Sequence, residues 1–325
     1  MFLTNSLTVG RKRKVYNKNT TTDDRSIRDN AEARRTYEQA AHEASEERAS
    51  RNSTPRWAST LSSVIEMAGT KVVILCGGQG TRLKEETQFK PKPMVTIGGK
   101  PILWHIMKHY AHYGFTDFIL CLGYKGEMIK DYFSEYAKRN NDFTVNLKSG
   151  ELAHHGSDNI EDWNITFVDT GKETETGGRI KKIEPYIGED ELFLATYGDG
   201  VSDVDINKTI EFHKEKGKIG TLTGLHPWSK YGTVDVDDAG IVTAFREKPI
   251  LKDVINGGFF VFNKEIFRYL TEDCILEKTP FEQLAQQRQL SLCKHEGFWS
   301  CMDTYKDVLR LNEMWNKDAP WKIWQ

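Results

Sequence analysis

Lys71-Val-Val-Ile-Leu-Cys-Gly-Gly-Gln-Gly-Thr-Arg-Leu83 is followed closely by Lys90-Pro-Lys-Pro-Met94 and Gly98-Gly-Lys-Pro-Ile102. Val72 to Leu75 is apolar without alternation, which predicts a strand buried on both faces of a parallel sheet. The strand runs into a glycine turn, and Arg82, Lys90 and Lys92 come directly after it. Glycine removes Cβ atoms and tolerates positive φ, so backbone N–H groups can approach an oxyanion closely. Leu75, Cys76, Gly77, Gly78, Gln79, Gly80 and Thr81 therefore form a candidate phosphate-binding loop, with Arg82 and Lys92 as its cations.

Two common phosphate motifs do not fit. A Walker loop requires G-x-x-x-x-G-K-[ST], and no Lys-Ser or Lys-Thr stands at that distance from Gly80. A dinucleotide fingerprint requires a third glycine where Gly78-Gln-Gly-Thr-Arg-Leu83 carries a cation and an apolar residue. A glycine loop alone is an ordinary strand-to-helix turn; the added Arg82 and Pro-spaced lysines make this one specific.

Working outward, strand-like runs (Val72–Cys76, Phe118–Leu122, Ile165–Val168, Phe193–Tyr197) alternate with helical ones (Ile102–Tyr113, Met128–Ala137, Arg179–Tyr186, Ile206–Lys216). That alternation predicts an α/β fold with a Rossmann-like, mainly parallel sheet. Past Lys218 the runs shorten. Thr221–Leu225, Thr233–Val236, Ile241–Phe245 and Gly258–Phe262, with turns such as Asp237-Asp-Ala-Gly240, predict a smaller antiparallel part. Helices near Pro280–Arg288 and Tyr305–Trp315 close the chain. The polar segment 139–163 reads as a projecting hairpin with subunit contact as one use, and a homo-oligomer is expected.

The composition (38% apolar, 28% charged, formal charge −2) describes an ordinary globular chain with no general pull toward nucleic acid or membrane. No apolar run reaches the roughly 20 residues of a membrane span. Cys76, Cys121, Cys274, Cys293 and Cys301 show no C-x-x-C pair, so reduced thiols and a cytoplasmic location are expected. Residues 1–66 are rich in Arg, Ser, Thr, Asn and Glu and poor in large apolar residues, which predicts a disordered extension before a domain spanning 67–325. Arg11-Lys-Arg-Lys14 could be a nucleic-acid patch or a solvated charge run, and Met67 an alternative start. His105, His109 and His112 share one helical face, but no nearby Cys or carboxylate pair completes a zinc site.

The motifs resemble the sugar-1-phosphate nucleotidyltransferases. GGxGTRL with KPKPM is similar to their nucleotide-binding start, and Lys90 to His105 resembles the glucose-1-phosphate cytidylyltransferase branch. The likeness continues through Gly123-Tyr-Lys-Gly126, Thr176-Gly-Gly-Arg179, Thr196-Tyr-Gly-Asp-Gly-Val201, Glu247-Lys-Pro249, Ile255-Asn-Gly-Gly258 and Met302-Asp-Thr304. The resemblance implies a nucleotide-diphospho-sugar transferase fold and transfer of a cytidylyl group from CTP to α-D-glucose 1-phosphate. CDP-glucose for surface polysaccharide and pyrophosphate would be the products. It implies Arg82 and Lys92 as the catalytic cations, and Thr176, Gly177, Arg179 and Gly198 as further nucleotide contacts. Asp199 and Asp303 would be ligands of Mg²⁺, and Gly232, Glu247, Lys248, Asn256 and Gly258 would border the sugar phosphate.

Read without the resemblance, several of these residues have simpler uses. Asp199 could be a turn residue, Asp303 or Thr176 a helix cap, and Glu247–Lys248 an exposed ion pair. Three alternatives of function stay open at this point: the same fold using dTTP or UTP, an inactive regulatory paralogue, and a nucleic-acid-binding protein resting on the basic cluster alone.

Overall fold

The computed structural model describes residues 69–324, apart from 157–159 and Lys230. The extension expected over residues 1–66, with its basic cluster, lies outside the described residues.

In chain order the strands are β1 (Val72–Leu75), the short pair β2 (Thr96–Ile97) and β3 (Lys100–Pro101), β4 (Asp117–Leu122), and the hairpin β5 (Asp142–Val145) and β6 (Leu152–His155). They continue with β7 (Asn164–Asp169), β8 (Leu192–Tyr197), β9 (Gly200–Ser202), β10 (Gly220–Leu225), the hairpin β11 (Thr233–Val236) and β12 (Val242–Arg246), β13 (Ile255–Asn256), β14 (Phe260–Asn263), β15 (Leu290–Lys294) and β16 (Trp299–Cys301). The main sheet runs in the order β13-β10-β14-β8-β1-β4-β7, with β15 paired to β10. β8, β1, β4 and β7 are mutually parallel, while β14 is antiparallel to β8 and β10 to β14.

The absence of alternation in β1 follows from burial on both faces. Val72 and Ile74 enter one apolar cluster with Phe118, Leu120 and Leu122 of β4; Val73 enters the other with Ile119 and Cys121. Successive side chains of a strand point to opposite faces, so a sheet covered on both sides needs apolar residues at every position. Helix Ile102–His112 covers the first face. Its Ile102, Leu103, Ile106, Met107 and Tyr110 recur at helical spacing and are fully buried. His105 and His109 are buried in that same face, where His105 Nε2 pairs with the Ile97 carbonyl at 2.8 Å. Burial holds both imidazoles down, to a pKa of about 4.

The structure corrects three expectations of organisation. Runs Thr221–Leu225 and Gly258–Phe262 supply β10 and β14 of the main sheet, so the smaller antiparallel part is reduced to the hairpin β11–β12. The helix expected over Arg179–Tyr186 starts earlier and divides into Thr176–Lys182 and Glu184–Ile187. Pro185 lacks the N–H that a continuous helix needs there. The helix expected over Met128–Ala137 likewise divides, into Gly126–Ser134 and Tyr136–Asn140.

Candidate active site

β1 is flanked by β4 on one side and β8 on the other, so the sheet order reverses at β1. In open α/β sheets such a reversal leaves a crevice at the carboxyl ends of the strands. Leu75 pairs in register with Tyr197 of β8, and the loop after each strand opens there. A cavity of about 290 Å³ occupies the crevice, lined by the glycine turn, Arg82, Lys92, Thr176, Arg179, Gly198, Asp199 and Asp303.

The glycines are spatially required. A Cβ on Gly77 would lie 2.1 Å from Arg179 Nη1, and Gly80 sits at φ +61° as the chain enters the 3₁₀ turn Thr81–Leu83. Behind the loop, Arg179 is buried, at 4% exposed. Its Nη1 donates to Leu122 O (3.1 Å), Thr170 Oγ1 (2.7 Å) and Gly171 O (2.8 Å), and its Nη2 to Gly77 O (3.1 Å) and Lys172 O (3.4 Å). Expected as a direct nucleotide contact, Arg179 reaches the cavity wall with its donors already committed to the backbone that shapes the loop.

At the other end of the cavity four charges meet. Lys92 Nζ lies 2.6 Å from Asp199 Oδ2 and 2.7 Å from Asp303 Oδ1, and Arg82 Nη1 lies 2.8 Å from Asp303 Oδ2. Lys92 opens a 3₁₀ turn and stands between Pro91 and Pro93, which restrict its backbone and aim its side chain inward. Burial works against its ammonium, yet Asp199 and then Asp303 more than offset this and hold its pKa above the ordinary lysine value. Burial pushes Asp303 upward, but Lys92 and Arg82 outweigh it and hold the carboxyl below the usual range. Beside them the Cys301 thiol is pushed up to about 12 by burial and then by Asp303 and Asp199, which keeps it protonated.

Asp303 is free to face this site because it is not the cap of the final helix. Thr304 takes that position in a capping box with Asp307. Two carboxylates aimed at one point form a hard-oxygen pair suited to a divalent ion whose remaining ligands are phosphates and water. Among the described residues no group of three or more His, Cys, Asp or Glu is placed to hold a metal.

Other expected residues fall elsewhere. Gly177 does not line the cavity: its Cα packs against Cys274, where an added Cβ would come within 2.4 Å of Sγ. Gln79 is on the rim, with Nε2 at 3.4 Å from both carboxylate oxygens of Glu173. Near the residues expected to border the sugar, Asn256 Nδ2 donates to Tyr197 Oη at 3.1 Å, and Asn256 Oδ1 accepts from Gly258 N at 2.9 Å. That places both against a wall of the cavity. Gly232, Glu247 and Lys248 do not line it. Lys248 pairs with Glu247 at 3.0 Å, both more than half exposed, beside Gly232 at the base of β11–β12. Lys248 is held at φ +45°, a conformation costly for a residue with a Cβ. Thr174, Glu175, Pro93 and Tyr197 line the cavity as well. Pro93 and Tyr197 stand inside motifs without an assigned role, and Thr174 and Glu175 are signalled only by adjacency to Thr176-Gly-Gly-Arg179.

A glycine turn at a switch point, with two cations and two carboxylates below it, defines an enzyme that handles nucleoside phosphates. The chain belongs to the nucleotidyl transferase family, whose model, described as Nucleotidyl transferase, matches residues 71–315. Within it, the chain is 50% identical over 258 residues to the glucose-1-phosphate cytidylyltransferase of Salmonella typhi, a match that covers 78% of this chain and 100% of that one. It is 47% identical over 257 residues to the probable glucose-1-phosphate cytidylyltransferase of Bacillus subtilis strain 168, with the same coverage of 78% and 100%. Among solved structures, HddC from Yersinia pseudotuberculosis complexed with GMP-PN superposes with a TM-score of 0.55 at 26% identity, covering 76% of this chain and 99% of that one.

Proposed function

We propose that this enzyme transfers a cytidylyl group from CTP to α-D-glucose 1-phosphate, releasing pyrophosphate and forming CDP-glucose. The observation that carries the reading of the site is the convergence of Arg82, Lys92, Asp199 and Asp303 below the glycine turn. The choice of cytosine and glucose is supported by relatives of that name at 50% identity over their whole length.

The chemistry needs no nucleophile from the protein. An oxygen of the sugar phosphate, already ionised, forms a bond to the α-phosphorus while the bond from that phosphorus to the bridging oxygen of pyrophosphate breaks. Catalysis then consists of holding the groups in line and neutralising charge on the phosphoryl oxygens. Backbone N–H groups of Gly77 to Thr81 face the nucleotide phosphates, and Arg82 and Lys92 bring positive charge to the same end of the cavity. Asp199 and Asp303 would hold a divalent ion, Mg²⁺ by the hardness of its ligands, which supplies further neutralisation of phosphate charge. Asn256 and Gly258 border the sugar from the Tyr197 wall. Lys248, outside the cavity and paired with Glu247 as the pair stands, would leave that pair to hold the phosphate of the sugar phosphate, with Glu247 accepting from sugar hydroxyls, a role supported by the strained backbone of Lys248.

We also propose a cytoplasmic homo-oligomer. Phe143, Leu147 and Leu152 are exposed on the projecting hairpin, and exposed apolar side chains there favour contact with a second copy. No described helix is long and apolar enough to cross a membrane. The test of the reaction is incubation with CTP, α-D-glucose 1-phosphate and Mg²⁺, followed by ³¹P NMR. Paired diphosphate resonances of a nucleotide sugar, with pyrophosphate in equal amount, are expected; unchanged CTP refutes the reading.

A further inference from the structure

Glu277 lies outside every motif of the site, yet its carboxylate joins two walls of the cavity. One oxygen, Oε2, accepts from Thr176 Oγ1 at 2.7 Å, and the other, Oε1, accepts a short hydrogen bond from Tyr197 Oη. Tyr197 Oη in turn accepts from Asn256 Nδ2 (3.1 Å), and Asn256 Oδ1 accepts from Gly258 N (2.9 Å). One continuous chain of hydrogen bonds therefore runs from the helix start at Thr176 to the sugar-side turn at Gly258.

Each link holds something the reaction needs. Thr176 opens the helix that carries Arg179, whose guanidinium fixes the glycine turn through Gly77 O. Thr176 is anchored from the back as well, its Oγ1 accepting from Leu276 N at 3.0 Å. Tyr197 is the last residue of β8, two positions before Asp199. Its ring packs edge-on against Phe260, and the space beside it is left open by Gly258, where an added Cβ would lie 3.0 Å from the ring. A carboxylate between two hydroxyl donors makes charge-assisted bonds, stronger than neutral ones.

We propose that Glu277 is a positioning residue that sets the nucleotide wall and the sugar wall of the cavity relative to each other through Thr176, Tyr197 and Asn256. The inference rests on the reading that one wall takes the nucleotide and the other the sugar phosphate. Glu277 acts through Tyr197 and Thr176, so its loss changes how both substrates are held while the charged groups at the reacting phosphorus stay in place.

The variants Glu277→Gln, Glu277→Ala and Tyr197→Phe, with the double variant Glu277→Ala/Tyr197→Phe, test this in steady-state kinetics beside thermal melts. Wild-type turnover of CTP and glucose 1-phosphate is measured first, and its absence defeats the functional reading rather than this inference. Given turnover, Tyr197→Phe and Glu277→Ala should each raise KM for both substrates by about three- to tenfold, with kcat within about threefold. Glu277→Gln should fall between, because its amide can accept from only one of the two hydroxyls. The double variant should be little worse than the worse single one, since both act on one chain of bonds. Unchanged KM values in Tyr197→Phe and Glu277→Ala overturn the proposal. So does a rise in KM for one substrate alone, or a double variant whose losses multiply. A lower melting temperature with unchanged KM assigns the network a structural role only, and equally overturns it.

Discussion

Arg179→Met removes the cation behind the glycine turn while preserving most of its bulk. Five donor contacts disappear, four to carbonyl oxygens and one to Thr170 Oγ1. Gly77 O retains the N–H of Tyr124, and Leu122 O retains the N–H and hydroxyl of Thr170, so neither is left bare. Gly171 O and Lys172 O lose their contact with the guanidinium. A hydrogen bond to a charged group contributes roughly 1.5–3 kcal/mol, and the retained partners and the recovered desolvation of the guanidinium reduce the sum to about 3–4 kcal/mol. For a domain of this size each kcal/mol moves the midpoint by roughly 2–4 °C, so a loss on the order of 10 °C is expected. Differential scanning calorimetry measures it directly. Nucleotide KM should rise with it, because the turn is shaped from behind. Arg179→Lys should recover less than half, since an ammonium lacks the planar fork that reaches Gly77 O and Gly171 O together. A midpoint within about 2 °C of wild type, with unchanged nucleotide KM, refutes the assignment of Arg179 as the clamp of the loop.

Asp199→Asn and Asp303→Asn should each lower turnover by at least about a hundredfold with the fold retained, and the two losses should not multiply, because both carboxylates address one point; near-normal turnover in Mg²⁺ contradicts this. Lys248→Ala should weaken the sugar phosphate by roughly 10- to 150-fold, the equivalent of a lost charge-assisted contact, whereas Arg82→Ala should act mainly on the nucleotide. Binding measured for each ligand alone separates the two, and the reverse pattern would show that the site is divided differently. A chain starting at Met67 should fold, melt within a few degrees of the full chain and keep CTP-dependent activity, because a relative matched over its whole length aligns with 78% of this chain. An insoluble or inactive short form contradicts that.

Where local pattern and tertiary environment coincide, the sequence is legible. β1 reads as a doubly buried strand because the two clusters on its faces both demand apolar residues. Arg82, Lys92 and Asp199 stand in stretches marked by glycine or proline, whereas Asp303, 221 residues from Arg82, has no such signature in Met302-Asp-Thr304 and is picked out only by the family resemblance. Strand partners were harder to read. Thr221–Leu225 looks like an antiparallel edge in isolation, but its neighbours β14, β13 and β15 come from other stretches of chain and place it in the main sheet. Short strands such as β16 have too few residues to show a period. Arg179 and Gly177 were legible as a motif but not in their task. A guanidinium turned toward carbonyls and a glycine pressed on Cys274 depend on groups distant in sequence. Tyr197 stands inside Thr196-Tyr-Gly-Asp-Gly-Val201 without a legible task, and Glu277 carries no signal, because neither residue type is unusual at a strand end or before a helix.

The most direct test of the central claim is the rate of pyrophosphate release with α-D-glucose 1-phosphate and Mg²⁺, measured separately with CTP, UTP, dTTP and GTP at equal, subsaturating concentration. CTP should give a kcat/KM at least about tenfold above every other nucleotide, a difference of roughly 1.4 kcal/mol or more in transition-state binding. Equal or faster release with UTP or dTTP contradicts the cytidylyl assignment, and no release with any nucleotide contradicts the reading of this site as a catalyst.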